Sequence, residues 1–248
     1  MKQFDKHADA YDAIRRKIQY PEELYQFLLA KTPGRAAALD MGCGNGVSTI
    51  RLAPHFAYVE GIDHGANLID KAAANYPALR FATVPAESYA SERRFDLITS
   101  ATSFYWMDRS KVLEIIKRQL VGGGLFCAYK YDVPQAYGDL RLLIEEELVN
   151  KWGKFRDPRL LQYDDTLERI AQIGGFKEAK RKIFSNIIEL TPFELALFLL
   201  STSYVTAYMD QKPEENYADY LLDKMQTVGG SDPVKVNFDI YAYIAEKA

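Results

Sequence analysis

"AALDMGCGNGVSTIRLA", residues 37–53, is the stretch on which the reading of the fold turns. A short apolar run ends in an acid, Asp40. Gly42, Gly44 and Gly46 follow at alternate positions, and an apolar pattern with helical spacing begins after them. An apolar run too short for a helix, then glycines, then a helical period predicts a strand, a tight turn and a helix. In an open α/β sheet, ligands bind outside the carboxyl ends of the strands, where this loop would lie, and glycine lets its backbone approach them. The spacing is G-x-G-x-G, with Val47 where the dinucleotide fingerprint requires a glycine.

The same alternation continues outward. Residues 4–31 read as helices, with Pro21 suited to a first turn, and Thr32, Pro33 and Gly34 break the pattern. "VSTIRLAPHF" reads as a helix, "AYVEGID" as the second strand, "NLIDKAAANY" as a helix and "LRFATVP" as the third strand. "FDLITSAT" is the fourth strand, "RSKVLEIIKRQL" a helix, and Gly122, Gly123 and Gly124 a turn into the fifth strand, "LFCAYKYD". Strands joined by helical crossovers imply a mostly parallel sheet covered on both faces. Beyond residue 132 the rhythm changes. "DLRLLIEEELVNKW", "DTLERIAQIGG", "PFELALFLLSTSYVTAYM" and "YADYLLDKMQTV" are helical, while "FKEAKRKIFSNIIEL" and "VKVNFDIYAYIAEKA" each read as one extended strand.

The fold expected is α/β and Rossmann-like: a seven-stranded, mostly parallel sheet with helices on both faces and a helical cover from insertions. The segments expected are an N-terminal helical segment over the cofactor site at 1–35, a cofactor-binding core at 36–131 and a helical insertion at 132–175. The last two core strands fall at 176–248, interrupted by a substrate-side helical insertion at about 191–230, longer than the usual loop.

Bulk properties narrow the function. Among 248 residues, 48% are apolar and 26% charged, the balance of an ordinary globular protein. A net charge of -3 gives no broad footprint for nucleic acid. No apolar run reaches membrane-spanning length, and the charged start "MKQFDKHADAYDAIRRK" lacks the apolar core of a signal peptide, so a cytoplasmic location is expected. The two cysteines, Cys43 and Cys127, and the scattered His7, His55 and His64 offer neither a disulfide framework nor metal-ligand spacing.

The acids near the loop discriminate between cofactors. Asp40 beside a pyrophosphate would repel it, whereas beside an ammonium and a sulfonium it would attract. Opposite charges about 4 Å apart are worth up to about 4 kcal/mol at an intermediate dielectric, before desolvation. This favours S-adenosylmethionine over NAD; the alternative, that Asp40 caps the loop or the next helix, can coexist with the ligand role. Asp63 ends the second strand 17 residues past Gly46 and can accept both hydroxyls of a ribose, or cap the helix near Asn67. His64 follows it. In "VPAESY", residues 84–89, the Ala86 amide and the Glu87 carboxylate can border an adenine, with Glu87 alternatively a solvated loop acid.

"LDMGCGNG", "VEGID", "PAES", "FDLITSATSFYWMD" and "LVGGGLFC", in this order, resemble class I S-adenosylmethionine-dependent methyltransferases, and most nearly the type 11, trans-aconitate methyltransferase-like small-molecule branch. The resemblance covers residues 36–130 well and the termini more loosely, through "YDAIRRKIQYP" and "NFDIYAYIAEK". It implies S-adenosyl-L-methionine as cofactor and S-adenosyl-L-homocysteine as product. By position it implies Asp40, Gly42, Cys43, Gly44 and Gly46 on the methionine side, Asp63 and His64 at the ribose, and Ala86 and Glu87 at the adenine. Ser100 is expected beside the methyl group, and Arg16 on the N-terminal segment that folds over the cofactor. Two positions depart from the family: Pro85 replaces an acid before Ala86, and Tyr105-Trp106 replaces a frequent His-Trp pair.

Strand four ends in "SATSFYWMD", residues 100–108. Tyr105 and Trp106 are the candidate positioning residues for catalysis, their ring faces suited to a sulfonium, or else core residues. The sequence shows no convincing base, and a carboxylate acceptor, already ionised, requires none. Tyr11, Tyr20, Lys130 and Tyr204 are the candidate substrate contacts, with Arg156, Arg159, Ser201 and Thr202 nearby in sequence. The expected function is methyl transfer to a small-molecule acceptor, with carboxylate O-methylation as candidate chemistry. The alternatives are a nicotinamide-dependent oxidoreductase on a similar fold and a non-catalytic S-adenosylmethionine-binding module.

Overall fold

Residues 13–15, 17–161 and 165–248 are described by a computed structural model. They fall into two compact units. The sheet unit takes the described residues of 20–131, 161–184 and 239–248, and the helical unit those of 1–19, 132–160 and 185–238.

The sheet unit contains α1 (Glu22–Lys31), β1 (Ala37–Met41), β2 (Tyr58–Asp63), α2 (Ala66–Asn75), β3 (Arg80–Thr83), β4 (Phe95–Ala101), α3 (Arg109–Gln119) and β5 (Leu120–Tyr131). Much later in the chain come α5 (Thr166–Ile173), β6 (Phe176–Phe184) and β9 (Ile240–Lys247). Its seven strands run in the order β3-β2-β1-β4-β5-β9-β6. The first five pair parallel, and β9 inserts antiparallel between β5 and β6. β1 and β4 are buried along their whole length, as central strands covered on both faces must be. Leu24, Tyr25 and Leu28 of α1 pack with Leu97, Leu125, Tyr129 and Ile244 in its core.

Several elements differ locally from the sequence expectations. "VSTIRLAPHF" forms two single 3-10 turns, Thr49–Arg51 and Ala53–His55, rather than an α-helix. Pro54 has no N–H to donate and its ring opposes the preceding turn, while the Ser48 and Thr49 hydroxyls turn inward. Pro21 stands one position before α1, in extended conformation. The three glycines expected as a turn lie within β5, where a register shift opposite Phe95–Leu97 absorbs them.

The two long extended runs each divide. Residues 176–190 become β6 and β7 (Ile187–Leu190), and residues 234–247 become β8 (Val234–Asn237) and β9. β7 and β8 pair only with each other, in the helical unit. Between β6 and β7 the chain turns at Asn186, whose carbonyl accepts from Phe238 N–H at 2.8 Å and whose side chain donates to Gln19 O.

The helical unit also contains α4 (Gly138–Glu147), continued by a π-turn at Leu148–Trp152, then α6 (Pro192–Leu200), α7 (Ser203–Gln211) and α8 (Tyr217–Gly229). α6 starts with a reciprocal capping box between Thr191 and Glu194. The single helix expected over 192–209 breaks after Leu200, where the Ser201 and Thr202 hydroxyls take the carbonyls of Phe198 and Leu199. Trp152, Phe198, Tyr217 and Phe238 form its buried aromatic centre.

Candidate functional site

The loop after β1 is built around three left-handed glycines, Gly42, Gly44 and Gly46. A side chain at Gly42 would collide with Ser103 Cβ at 2.5 Å, so glycine there permits close contact with the end of β4. The contact is made by the Ser103 hydroxyl, which donates to Gly42 O at 2.8 Å. At Gly44 the space a Cβ would enter is open. Cys43 is buried in the same loop, and burial holds its thiol well above the ordinary range.

Asp63, 7% exposed at the tip of β2, ties the loop down. One carboxylate oxygen accepts from Gly44 N–H at 3.0 Å and the other from Gly65 N–H at 2.8 Å. A carboxylate offers about four acceptor positions, so roughly two remain for a ligand. His64, with its side chain 83% exposed, places Nδ1 3.4 Å from Asp63 Oδ1.

Asp40 does not stand at the mouth of the loop. It is wholly buried, and its carboxylate accepts from Ser48 Oγ (2.5 Å), Thr49 Oγ1 (2.7 Å) and Thr99 Oγ1 (2.9 Å). Burial raises its pKa, and the three hydroxyls oppose the rise. In this conformation Asp40 is the hub beneath the loop. Sequence reasoning missed Ser48, Thr49 and Thr99. Thr99 carried a signal, since a polar residue in the apolar run "FDLITSA" must find a partner when buried.

The end of β4 carries the other features. Ser100 is 1% exposed, and its Oγ has no hydrogen-bond partner among the described residues. Thr102 has φ of 53°, the one non-glycine in the left-handed region among the described residues. Its N–H donates to Tyr129 O at 2.7 Å, and its hydroxyl lies 2.7 Å from that of Tyr20. Tyr20 packs edge-on against Tyr129, with ring centroids 4.9 Å apart. Burial pushes both tyrosines far above their usual pKa.

Ala86 is buried, whereas the Glu87 carboxylate accepts from Asp108 N–H at 2.9 Å, at the start of α3. Tyr105 is buried and Trp106 is 37% exposed, their rings 5.0 Å apart. Lys130 is buried near the end of β5. Of the candidate residues, the structure thus gathers Asp40, the three glycines, Cys43 and Asp63 at one loop, with Ser103 joining the β4 end to it. Tyr204 belongs to the helical unit. Tyr11 and Arg16 lie outside the described residues.

The residues present fit a nucleoside-bearing cofactor: an open face over Gly44, spare acceptor positions on Asp63 beside it, and a buried donor without a partner at Ser100. Among the described residues, no group of three or more His, Cys, Asp or Glu is arranged to hold a metal ion. Nor is any helix there long and apolar enough to cross a membrane.

A sheet of this order with its glycine loop after β1 defines a Rossmann-like protein of the class I type. The family profile described as "Methyltransferase domain" matches residues 38–124. The chain is 34% identical over 110 residues to trans-aconitate 2-methyltransferase of Methylobacterium radiotolerans, covering 42% of each chain. It is 32% identical over 121 residues to the enzyme of that name from Deinococcus radiodurans, covering 47% of this chain and 46% of the relative. Each alignment therefore spans less than half the length of the curated relative. A solved structure from Anaeromyxobacter dehalogenans, proposed to be a type II methyltransferase, superposes with a TM-score of 0.76 at 21% identity, over 92% of this chain and 97% of that one. The chain has the Rossmann-like fold of class I methyltransferases, and its residues 38–124 resemble the methyltransferase domain family.

Proposed function

We propose that this chain binds S-adenosylmethionine and transfers its methyl group to a small carboxylic acid. The observation that carries the cofactor assignment is the Asp63 carboxylate, held by the Gly44 amide beside the open face of that glycine. Asp63 accepts the ribose hydroxyls with its remaining lone pairs, Ser100 Oγ supplies a buried hydrogen bond, and Ala86 borders the adenine. Glu87 reaches an adenine amine only by giving up the Asp108 amide. Tyr105 and Trp106 are assigned to walling the transfer site.

When bound, S-adenosylmethionine would supply an electrophilic methyl carbon on a sulfonium, and a carboxylate acceptor would have no proton to release. The residues of the chain then have to hold, orient and exclude water. Tyr20 and Tyr129 are kept neutral by burial and are unsuited to act as bases, which supports an acceptor that is ionised beforehand. The trans-aconitate methyltransferases, by their name, act on such an acid, which supports the same acceptor class.

The test is calorimetric titration with S-adenosylhomocysteine and with NAD, then transfer of labelled methyl groups to a panel of small carboxylic acids. Binding of S-adenosylhomocysteine alone, with a base-labile methyl ester as product, is expected. Binding of NAD alone would overturn the cofactor assignment, and a base-stable methylated product would overturn carboxylate O-methylation.

A further inference from the structure

Within the sheet unit, the chain turns sharply as it leaves β4, and Tyr20 holds that corner. Thr102 is left-handed, at φ 53°, although it is β-branched. Its N–H donates to Tyr129 O at 2.7 Å, and its hydroxyl lies 2.7 Å from that of Tyr20. A β-branched residue keeps such a backbone where its surroundings over-determine it. The Tyr20 ring is itself fixed, edge-on to Tyr129 at 4.9 Å and 6.4 Å from the ring of Tyr131. The hydroxyl that the sequence offered to a substrate is thus engaged with the end of β4.

The next residue carries the corner to the glycine loop. Ser103 Oγ lies 2.8 Å from Gly42 O and 3.0 Å from Ala101 O. A hydroxyl has one proton, so it serves one of these carbonyls at a time. The bond to Gly42 crosses to the loop, whereas the bond to Ala101 stays local. Thr102 stands between Ala101 and Ser103 in the chain, and its backbone sets the direction in which Ser103 leaves the strand. The approach is close: a Cβ at Gly42 would meet Ser103 Cβ at 2.5 Å and Met107 Cε at 2.9 Å. From the β2 side, the Gly42 and Cys43 amides donate to Ile62 O at 2.8 and 2.9 Å, and the Gly44 amide to Asp63. The loop is clamped between the ends of β2 and β4.

We propose that Tyr20 is a positioning residue for the cofactor: through Thr102 and Ser103 it holds the glycine loop in its binding shape without touching the cofactor. This rests on the cofactor assignment above and goes beyond it. A loop ordered in advance binds without the cost of ordering it. Loss of the Tyr20 bond lets Thr102 relax and Ser103 fall back on Ala101 O, and the cofactor then has to order the loop itself.

The test is a double-mutant cycle in the full chain, with Tyr20→Phe, Ser103→Ala and the two combined. It is read by titration with S-adenosylhomocysteine, and by hydrogen exchange of the Gly42, Cys43 and Gly44 amides without ligand. Ser103→Ala is expected to weaken binding about ten-fold and Tyr20→Phe about three- to ten-fold. In the Ser103→Ala background, Tyr20→Phe should change affinity by less than about two-fold, because the route is already cut. The loop amides should exchange faster in each single variant, relative to those of Leu97 and Ile98 in β4, and the double variant should match Ser103→Ala. Unchanged affinity and unchanged relative exchange in Tyr20→Phe would reduce Tyr20 to a structural residue. Losses that multiply in the double variant would show a separate, direct contact. Either result overturns the proposal. Should the wild type fail to bind S-adenosylhomocysteine, the cofactor assignment falls, and the exchange cycle still decides whether Tyr20 governs the loop. If Tyr20→Phe does not fold, Thr102→Ala, which removes the other hydroxyl of the same bond, takes its place in the cycle.

Discussion

Asp63 Oδ2 accepts the Gly44 amide at 3.0 Å, joining the tip of β2 to the middle of the glycine loop. The bond fixes a left-handed residue whose open side faces the proposed cofactor position. Asp63→Ala is expected to lower S-adenosylhomocysteine affinity by about 100-fold, while Asp63→Asn, which keeps one acceptor, loses less. Calorimetry on both variants checks this, with circular dichroism to verify the fold. Equal affinity in Asp63→Ala and wild type would remove Asp63 from the site.

Asp40 is expected to fail in the opposite way. Asp40→Ala strands three buried hydroxyls, at about 1–3 kcal/mol each, so a stability loss of about 3 kcal/mol or more is expected in urea unfolding. A loss below about 1 kcal/mol would contradict its role as the hub under the loop.

The same residue sets a pH dependence. Burial raises the folded-state pKa of Asp40 above its unfolded value, so its protonated form is favoured in the folded chain. Its contribution is therefore fully present at acid pH and declines as pH rises from about 3.9 through the folded value. Asp40→Asn lacks this titration. The stability of the variant relative to wild type should increase over that rise and then level off, as read from urea midpoints across pH. A relative stability that falls over the same range would contradict the sign.

Thr102 combines a left-handed backbone with a β-branched side chain, an arrangement that costs about 1–2 kcal/mol and is held by Tyr129 O and the Tyr20 hydroxyl. Thr102→Gly loses the hydroxyl but relieves the backbone, whereas Thr102→Ala only loses the hydroxyl. The glycine variant is expected to be more stable than the alanine variant by about 1 kcal/mol, after allowance for the entropy glycine adds to the unfolded chain. Thermal unfolding of the pair measures this, and the reverse order would show that the strain is absent.

Both thiols are buried, and burial raises their pKa. Cys43 and Cys127 should react with a thiol reagent at pH 8 only after unfolding, two per chain. Rapid reaction of one thiol in the native protein would show that the glycine loop opens to solvent.

The amino-acid sequence by itself determined the βα alternation over residues 37–131, the glycine loop and the acid ending β2. Each is a local signal: hydrophobic period, glycine where φ is positive, and an acid closing an apolar run. Tertiary structure decided what depends on pairing and burial at a distance. β9 inserts between β5 and β6, and β7 and β8 leave the large sheet for their own, although each extended run looks continuous in sequence. Asp40 reads from sequence as a carboxylate facing a cation, yet partners 8, 9 and 59 residues away enclose it. Arg15 meets Ser201, and Trp152 meets Tyr217, only because the helical unit is folded from three separate stretches of chain. The free energy of a buried charge or an unpaired donor is set by what surrounds it, and that is known only once the chain has packed.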